Sequence, residues 1–161
     1  MNLLFSGLPK LNQFNSKLTS AQTPRYNCVA WSVCNDLVSL WPDDDNRWPV
    51  GFSRTETLEA FLELFVSIGF LQCADGSLEP GFMKIALFVN LEGAPSHVAR
   101  QLGSGQWTSK LGILADIEHR ELSLIEGDDY GRVAVYMRRS NASGPIQLPP
   151  LHPPPPLIIQ P

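Results

Sequence analysis

The chain lacks the hallmarks of several protein classes. Its three cysteines are odd in number and form no CxxC pair, so neither a disulfide framework nor a zinc site is expected. Lysine and arginine number 12 against 16 aspartates and glutamates, and the net charge of -4 argues against nucleic acid or a membrane as the main partner. The short apolar beginning is broken by Ser6, Gly7 and Pro9, which predicts neither a signal peptide nor a membrane span. These absences favour a cytoplasmic protein with reduced thiols and no metal or other cofactor.

Composition divides the chain into three parts. With 161 residues, of which 43% are hydrophobic, the length suits one globular domain with a sizeable core. Residues 1–25 show no sustained hydrophobic period and predict an N-terminal arm, whereas residues 26–139 carry the patterned domain. Beyond residue 139 the composition shifts to Ser, Asn and Gly and then to prolines. Residues 140–161 therefore predict a flexible Pro-rich tail, which could serve as a ligand for an SH3-like partner.

Hydrophobic spacing predicts two helices followed by strands. Apolar residues from Cys28 to Leu40 recur at helical spacing and predict about three turns. Residues 53–56, SRTE, match a capping box for a second helix that ends at Gly69. An α+β fold is therefore expected, with N-terminal helices packed on a small antiparallel sheet. The extended runs that predict strands are residues 70–73, 84–89, 97–102, 106–111 and 132–137, with a turn at 116–119 and a short helix at 121–126 before the last.

Cys28 is the candidate nucleophile because it opens the first predicted helix. The amides and the dipole of a helix N-terminus favour the thiolate, which is the reactive form of cysteine. Of the three histidines, His152 lies in the proline tail and His119 in a charged turn, which leaves His97 at the head of a predicted strand. We expect His97 to take the thiol proton and later to protonate the leaving group. Backbone amides around Cys28 would then bind the oxyanion.

The loop at residues 103–105, Gly-Ser-Gly, decides which side chain holds His97. A three-residue loop pairs Ala99 with Ser109 and puts Ser109 on the face of His97, where its hydroxyl would orient the ring. A loop with an even number of residues would exchange the faces and bring Lys110 to His97, where its ammonium would lower the histidine pKa. Ser109 is the expected third residue. The alternatives that remain open fold back from the following segment: Asp116, Glu118 and His119.

Residues 97–109, HVARQLGSGQWTS, resemble the histidine hairpin of NlpC-type papain-like cysteine hydrolases. In that family the catalytic histidine starts a strand, a glycine-containing turn follows, and a polar residue on the next strand orients the histidine. Asn27-Cys28 resembles the family's Asp-Cys start, with Asn in place of Asp, and Ser109 stands where the family has His, Asn or Gln. The resemblance implies a papain-like fold and an acyl-thioenzyme formed on Cys28. The residues expected near the substrate or its oxyanion are Tyr26, Asn27, Trp107 and Lys110.

Residues 26–139 also resemble an uncharacterised bacterial domain family. The shared features are the Tyr-Asn-Cys start at Tyr26, the Trp-Pro pairs, DGSLEPGF at residues 75–82, and WTSKLG at 107–112 followed by DIEH at 116–119. This family brings no established activity with it. The sequence therefore predicts a cysteine-dependent hydrolase of an amide or peptide bond: a protease, amidase or deamidase. The alternative is a non-catalytic binding or interaction module on the same fold.

Overall fold

The computed structural model describes residues 7–153, which consist mainly of one seven-stranded antiparallel sheet. The strand order across the sheet is β1-β6-β5-β4-β3-β7-β2. The strands are β1 (Ser16–Leu18), β2 (Leu71–Cys73), β3 (Phe82–Val89), β4 (Pro95–Gln101), β5 (Trp107–Lys110), β6 (Asp116–His119) and β7 (Arg132–Ser140). The helices of the described residues are α1 (Cys28–Ser32), α2 (Leu58–Ser67) and the short 3₁₀ helices Leu122–Leu124 and Asn141–Ser143.

The expected papain-like α+β fold, with N-terminal helices packed on a small antiparallel sheet, is wrong. The sheet dominates the described residues, and both α-helices are short. The first helix was expected to run to Leu40 but ends after five residues. Cys34 adopts a left-handed φ of 63°, and the amide of Asn35 donates to the carbonyl of Ala30 at 2.9 Å. This helix end, with a residue other than glycine in the left-handed region, overrides the apolar spacing that continues beyond it.

The second helix begins later than its capping box predicts. Thr57 is the N-cap, and its hydroxyl accepts a hydrogen bond from the amide of Ala60 at 3.3 Å. Glu56 instead accepts a hydrogen bond from the indole of Trp41. The helix ends as expected at Gly69, which has a φ of 102° and donates its amide to the carbonyl of Val66. Neither helix described between residues 7 and 153 has the length and apolar character needed to cross a bilayer.

Two segments that were not predicted as strands extend the sheet at one edge. Lys17 of β1 lies opposite Glu118 of β6, and their side chains form an ion pair at 2.9 Å. Residues 116–119, predicted as a turn, are therefore a strand. Their two acidic residues favour an exposed turn. The carboxylate of Asp116 is instead buried and accepts hydrogen bonds from the hydroxyls of Thr19 and Tyr26. Pairing with a partner strand and these hydroxyls satisfies groups that a turn would leave to water.

Successive side chains of the sheet point alternately into two cores, one on each face. The first core contains Leu87 and Val98 and packs beneath α1 and α2. The second core contains Phe88 and Ala99 on the opposite face. The other buried members of the first core include Cys28, Val29, Trp48, Phe61, Phe65, Phe70, Ile85 and Met137. Those of the second include Leu8, Leu11, Ala86, Trp107, Leu111, Ile117, Leu122 and Ile125.

The described part of the Pro-rich segment lies on the first core. The carbonyl of Pro150 accepts a hydrogen bond from the amide of Val50 at 2.8 Å, and the amide of His152 donates to the carbonyl of Trp48 at 2.9 Å. Leu151 packs against the same core. Up to Pro153 this segment therefore covers the domain instead of projecting from it. The remainder of the predicted flexible tail, residues 154–161, lies outside the described residues, as do residues 1–6 of the predicted arm.

Candidate functional site

Cys28 is the first residue of α1, as the sequence predicts, and Asn27 fixes that helix start. The Asn27 side-chain oxygen accepts hydrogen bonds from the amides of Ala30 at 3.2 Å and Leu40 at 3.0 Å. Its amide nitrogen donates to the carbonyl of Leu40 at 2.7 Å. Asn27 thus caps the helix and holds the loop that returns to Leu40. Because its polar atoms are engaged in these contacts, it is placed as a structural residue and not as a substrate contact.

The sulfur of Cys28 contacts β4 outside the described pairing of β4 with β5. The described ladder between these strands pairs Arg100 with Thr108 and Gln101 with Trp107 and does not continue to Val98. The N-terminal helix α1 packs against both strands in this region. The backbone amide of Val98 forms a hydrogen bond with the Cys28 sulfur. Cys28 therefore approaches the sheet from the first core and reaches the residue that follows His97.

The protonation state of Cys28 differs from the expected thiolate. Burial raises the pKa of the Cys28 thiol to about 11, although hydrogen bonds from the amides of Val98, Val29 and Cys28 itself lower it. The ammonium of Lys110 also lowers this pKa. Burial outweighs these contributions. In this structure Cys28 is consequently a neutral thiol at neutral pH.

His97 is held in place by one nitrogen and has no described partner at the other. Its Nε2 lies 2.9 Å from the hydroxyl oxygen of Ser109. Its Nδ1 is buried and has no hydrogen-bond partner within residues 7–153, so it is not bonded to the Cys28 sulfur. The ring packs edge-on between Phe88 and Tyr130, with centroid distances of 5.2 and 5.0 Å. Burial and the nearby His119 lower the pKa of His97 to about 3, which makes the resting imidazole neutral.

Tyr130 is a neighbour that the sequence did not suggest. Its ring contacts His97, and burial raises its pKa to about 12. Negative charge on Asp129, and on Cys28 when its thiol is ionised, raises that pKa further. His97 and Tyr130 therefore lie with Phe88 on the second-core face of the sheet, whereas Cys28 belongs to the first core. Tyr130 lies in a loop, and its backbone carbonyl accepts a hydrogen bond from the hydroxyl of Ser96.

Ser109 lies beside His97 because the turn at residues 103–105 has the odd length that the sequence favours. The pairing of Arg100 with Thr108 puts Ser109 on the same face as His97. The Ser109 hydroxyl also lies 2.8 Å from Nε2 of His119, whose Nδ1 is 3.0 Å from the carbonyl of Glu121. His119 is therefore linked to His97 through the Ser109 hydroxyl. Recognising residues 116–119 as a strand would have revealed this, because Trp107 and His119 are then cross-strand neighbours.

The other polar candidates have structural contacts. Lys110 lies on the opposite face from Ser109, and its ammonium donates to the carbonyls of Thr23 at 2.8 Å, Gly112 at 2.7 Å and Leu114. The hydroxyl of Tyr26 donates to Asp116, and the ring of Tyr26 lies 5.0 Å from the Lys110 ammonium. Glu118 forms the ion pair with β1. Tyr26, Lys110, Asp116 and Glu118 therefore join the arm, α1 and the sheet, and do not contact His97 by hydrogen bonds.

Trp107 is buried in the second core and lines a surface cavity of about 600 Å³ together with Tyr136. Neither Cys28 nor His97 lines this cavity. The cavity that Trp107 lines is therefore not formed by the predicted catalytic pair.

Comparison with known proteins identifies the family of this chain. The family model described as Domain of unknown function (DUF7689) matches residues 17–138, from β1 through most of β7. The chain belongs to this family. No curated protein and no solved structure matches the chain.

Proposed function

We propose that this member of the DUF7689 family is a cysteine-dependent hydrolase that cleaves an amide or peptide bond through an acyl-thioenzyme. Cys28 is the nucleophile, His97 is the base, and Ser109 orients His97. The observation that carries the proposal is the state of the His97 ring. Its Nε2 is held by Ser109, its Nδ1 has no partner within residues 7–153, and the backbone amide of the next residue in the chain, Val98, contacts the Cys28 sulfur. A base needs this combination of a fixed orientation and a free acceptor.

The proposed reaction is ordinary acyl transfer, and it requires Cys28 and His97 to come within hydrogen-bond distance of each other. His97 Nδ1 takes the thiol proton as the sulfur bonds to the carbonyl carbon, and the carbonyl electrons move onto the oxygen. Backbone amides that contact the sulfur, including those of Cys28 and Val29, are the candidate donors to that oxyanion. The C–N bond then breaks, and the amine leaves with the proton from His97. Water cleaves the thioester with His97 again as base, which yields a carboxylic acid and the free thiol.

The reaction requires that the closed structure open. Cys28 and His97 are 8% and 1% exposed, so a peptide cannot reach the sulfur without movement of a covering element. Exposure to solvent removes the burial that raises the pKa of Cys28 and lowers that of His97. Opening therefore favours the thiolate and imidazolium that the chemistry uses. We place this activity in the cytoplasm, where the three free cysteines stay reduced.

Trapping the acyl-thioenzyme tests the proposal. Cys34 is exposed and Cys73 is partly exposed, so both are first replaced by alanine to leave Cys28 as the sole thiol. This protein is incubated with a library of peptide amides and activated esters, and intact mass and turnover are measured. We expect an acyl adduct on Cys28 and turnover that Cys28→Ala abolishes while the variant stays folded. Turnover that survives in Cys28→Ala would exclude Cys28 as the nucleophile.

A non-catalytic interaction domain is the second candidate function. The raised pKa of the Cys28 thiol and its lack of a hydrogen bond to His97 favour it, because a core cysteine has the same properties. On this proposal the Pro-rich C-terminal residues contact a partner protein, and His97 and Ser109 are packing residues. It predicts no adduct, no turnover, and pull-down of a partner that is lost when residues 154–161 are deleted.

A further inference from the structure

We propose that His119, acting through Ser109, fixes which nitrogen of His97 carries the proton. Three hydrogen bonds lie in a row on the second-core face: His97 Nε2 to Ser109 Oγ at 2.9 Å, Ser109 Oγ to His119 Nε2 at 2.8 Å, and His119 Nδ1 to the carbonyl of Glu121 at 3.0 Å. The proposal rests on the proposed function only for its catalytic consequence. The tautomer follows from the geometry alone.

The carbonyl at the far end sets the direction of every hydrogen bond in the row. A carbonyl oxygen accepts and cannot donate, so His119 Nδ1 carries a proton and donates to Glu121. A neutral imidazole has only one N–H, which leaves Nε2 of His119 as an acceptor. Burial of His119 and the lack of a described anionic partner favour this neutral form.

The hydroxyl of Ser109 determines the proton position on His97 in the same way. Ser109 has one hydrogen, and it goes to Nε2 of His119. The Ser109 oxygen therefore accepts the hydrogen of His97 Nε2. His97, also neutral and buried, then has a bare Nδ1. The opposite tautomer would point a lone pair of His97 at an oxygen that has no hydrogen left to give.

This tautomer suits the proposed chemistry because Nδ1 is the nitrogen without a described partner. Only an unprotonated Nδ1 can take the proton of Cys28. In the other tautomer Nδ1 already carries a proton, and the bare nitrogen faces Ser109. His119 is thus a positioning residue that never needs to touch the substrate, and Ser109 transmits its effect.

Nitrogen-15 NMR of histidine side chains in the full chain tests the proposal. In the unsubstituted protein we expect the His97 proton on Nε2 and the His119 proton on Nδ1. The variant His119→Phe removes the acceptor, which frees the Ser109 hydrogen to go to His97 and allows the opposite tautomer to appear. The variant His119→Gln keeps an amide oxygen that can accept from Ser109 and an amide N–H that can donate to Glu121. It should retain the original tautomer.

Thr108→Val is the matched control. Thr108 is buried on the neighbouring position of β5 but on the other face, where its hydroxyl contacts Trp31 at 2.9 Å. This variant loses a buried hydroxyl contact but should leave the His97 tautomer unchanged. A His97 proton on Nδ1 in the unsubstituted protein would overturn the proposal, and that spectrum needs no variant to fold. An unchanged His97 tautomer in folded His119→Phe would overturn it equally.

Activity separates this inference from the proposed function. If both hold, kcat of amide cleavage falls by about 100-fold or more in His119→Phe and recovers in His119→Gln, because general-base assistance is lost and then restored. If the tautomer follows the prediction but Cys28 forms no acyl adduct in any variant, the positioning by His119 stands and the hydrolase fails. If Cys28 turns over substrate but the His97 proton lies on Nδ1, the result supports the proposed hydrolase and refutes positioning by His119.

Discussion

Mild acid should destabilise this fold through His97. Burial holds the pKa of His97 at about 3, below the value of 6.5 that it has when unfolded. His97 therefore binds a proton in the unfolded chain but not in the folded chain. The free energy of unfolding falls as the pH drops from 6.5 towards 3. The loss amounts to roughly 1 kcal/mol for each pH unit in that range. Between pH 7 and pH 5 we expect a loss of roughly 2 kcal/mol, which lowers the Tm by about 4 to 8 °C.

Urea unfolding at pH 7 and pH 5 measures this loss. The window stops at pH 5 because ordinary carboxylates titrate below it and would obscure the histidine contribution. The variant His97→Phe keeps a ring between Phe88 and Tyr130 but cannot titrate, so it should lose less stability on acidification. His119 supplies the remaining dependence in the same direction, since burial lowers its pKa as well. An equal free energy of unfolding at both pH values, or an equal loss in the variant, would refute the reasoning.

Three substitutions test contacts that stabilise the fold, each by urea unfolding. Asn27→Ala removes the cap of α1 and the contacts to Leu40, and should cost about 1 to 2 kcal/mol, whereas a neutral effect would contradict its role as a cap. Lys110→Met leaves three carbonyls without their donor and should cost about 2 to 4 kcal/mol, with unchanged stability as the contrary result. Gly131→Ala should be among the most damaging, because the added Cβ would lie 2.0 Å from the carbonyl oxygen of Val89 at a φ of 76°, and a tolerated alanine would contradict that packing.

The local elements of the sheet were more predictable than the fold they form. Turn residues delimited β3, β4, β5 and β7 to within a few residues, because a glycine or asparagine lies within two residues of an end of each run. The edge strand β1 and its neighbour β6 were missed. Their pairing depends on contacts such as Lys17 with Glu118 that lie far apart in sequence. The proportion of helix was overestimated because the left-handed φ at Cys34 has no signal in an apolar helical pattern.

In the candidate site, too, the sequence predicts local geometry better than long-range contacts. The turn at residues 103–105 was sufficient to predict that Ser109 faces His97, because strand register follows from loop length. The link from Ser109 to His119 required knowing that residues 116–119 are a strand. The burial of Cys28 and His97 removes the charges expected on both residues, and it results from packing of the two cores, which neither residue alone indicates.

The most direct test of the central claim is the rate at which chloroacetamide alkylates Cys28 at pH 7. The measurement uses the protein with Cys34→Ala and Cys73→Ala, with and without His97→Phe, and mass spectrometry to follow the single thiol. If Cys28 and His97 act as a pair, loss of the base should slow alkylation at least about tenfold, because His97 no longer accepts the thiol proton. Equal rates in the two proteins would contradict the pair and leave Cys28 as a core cysteine.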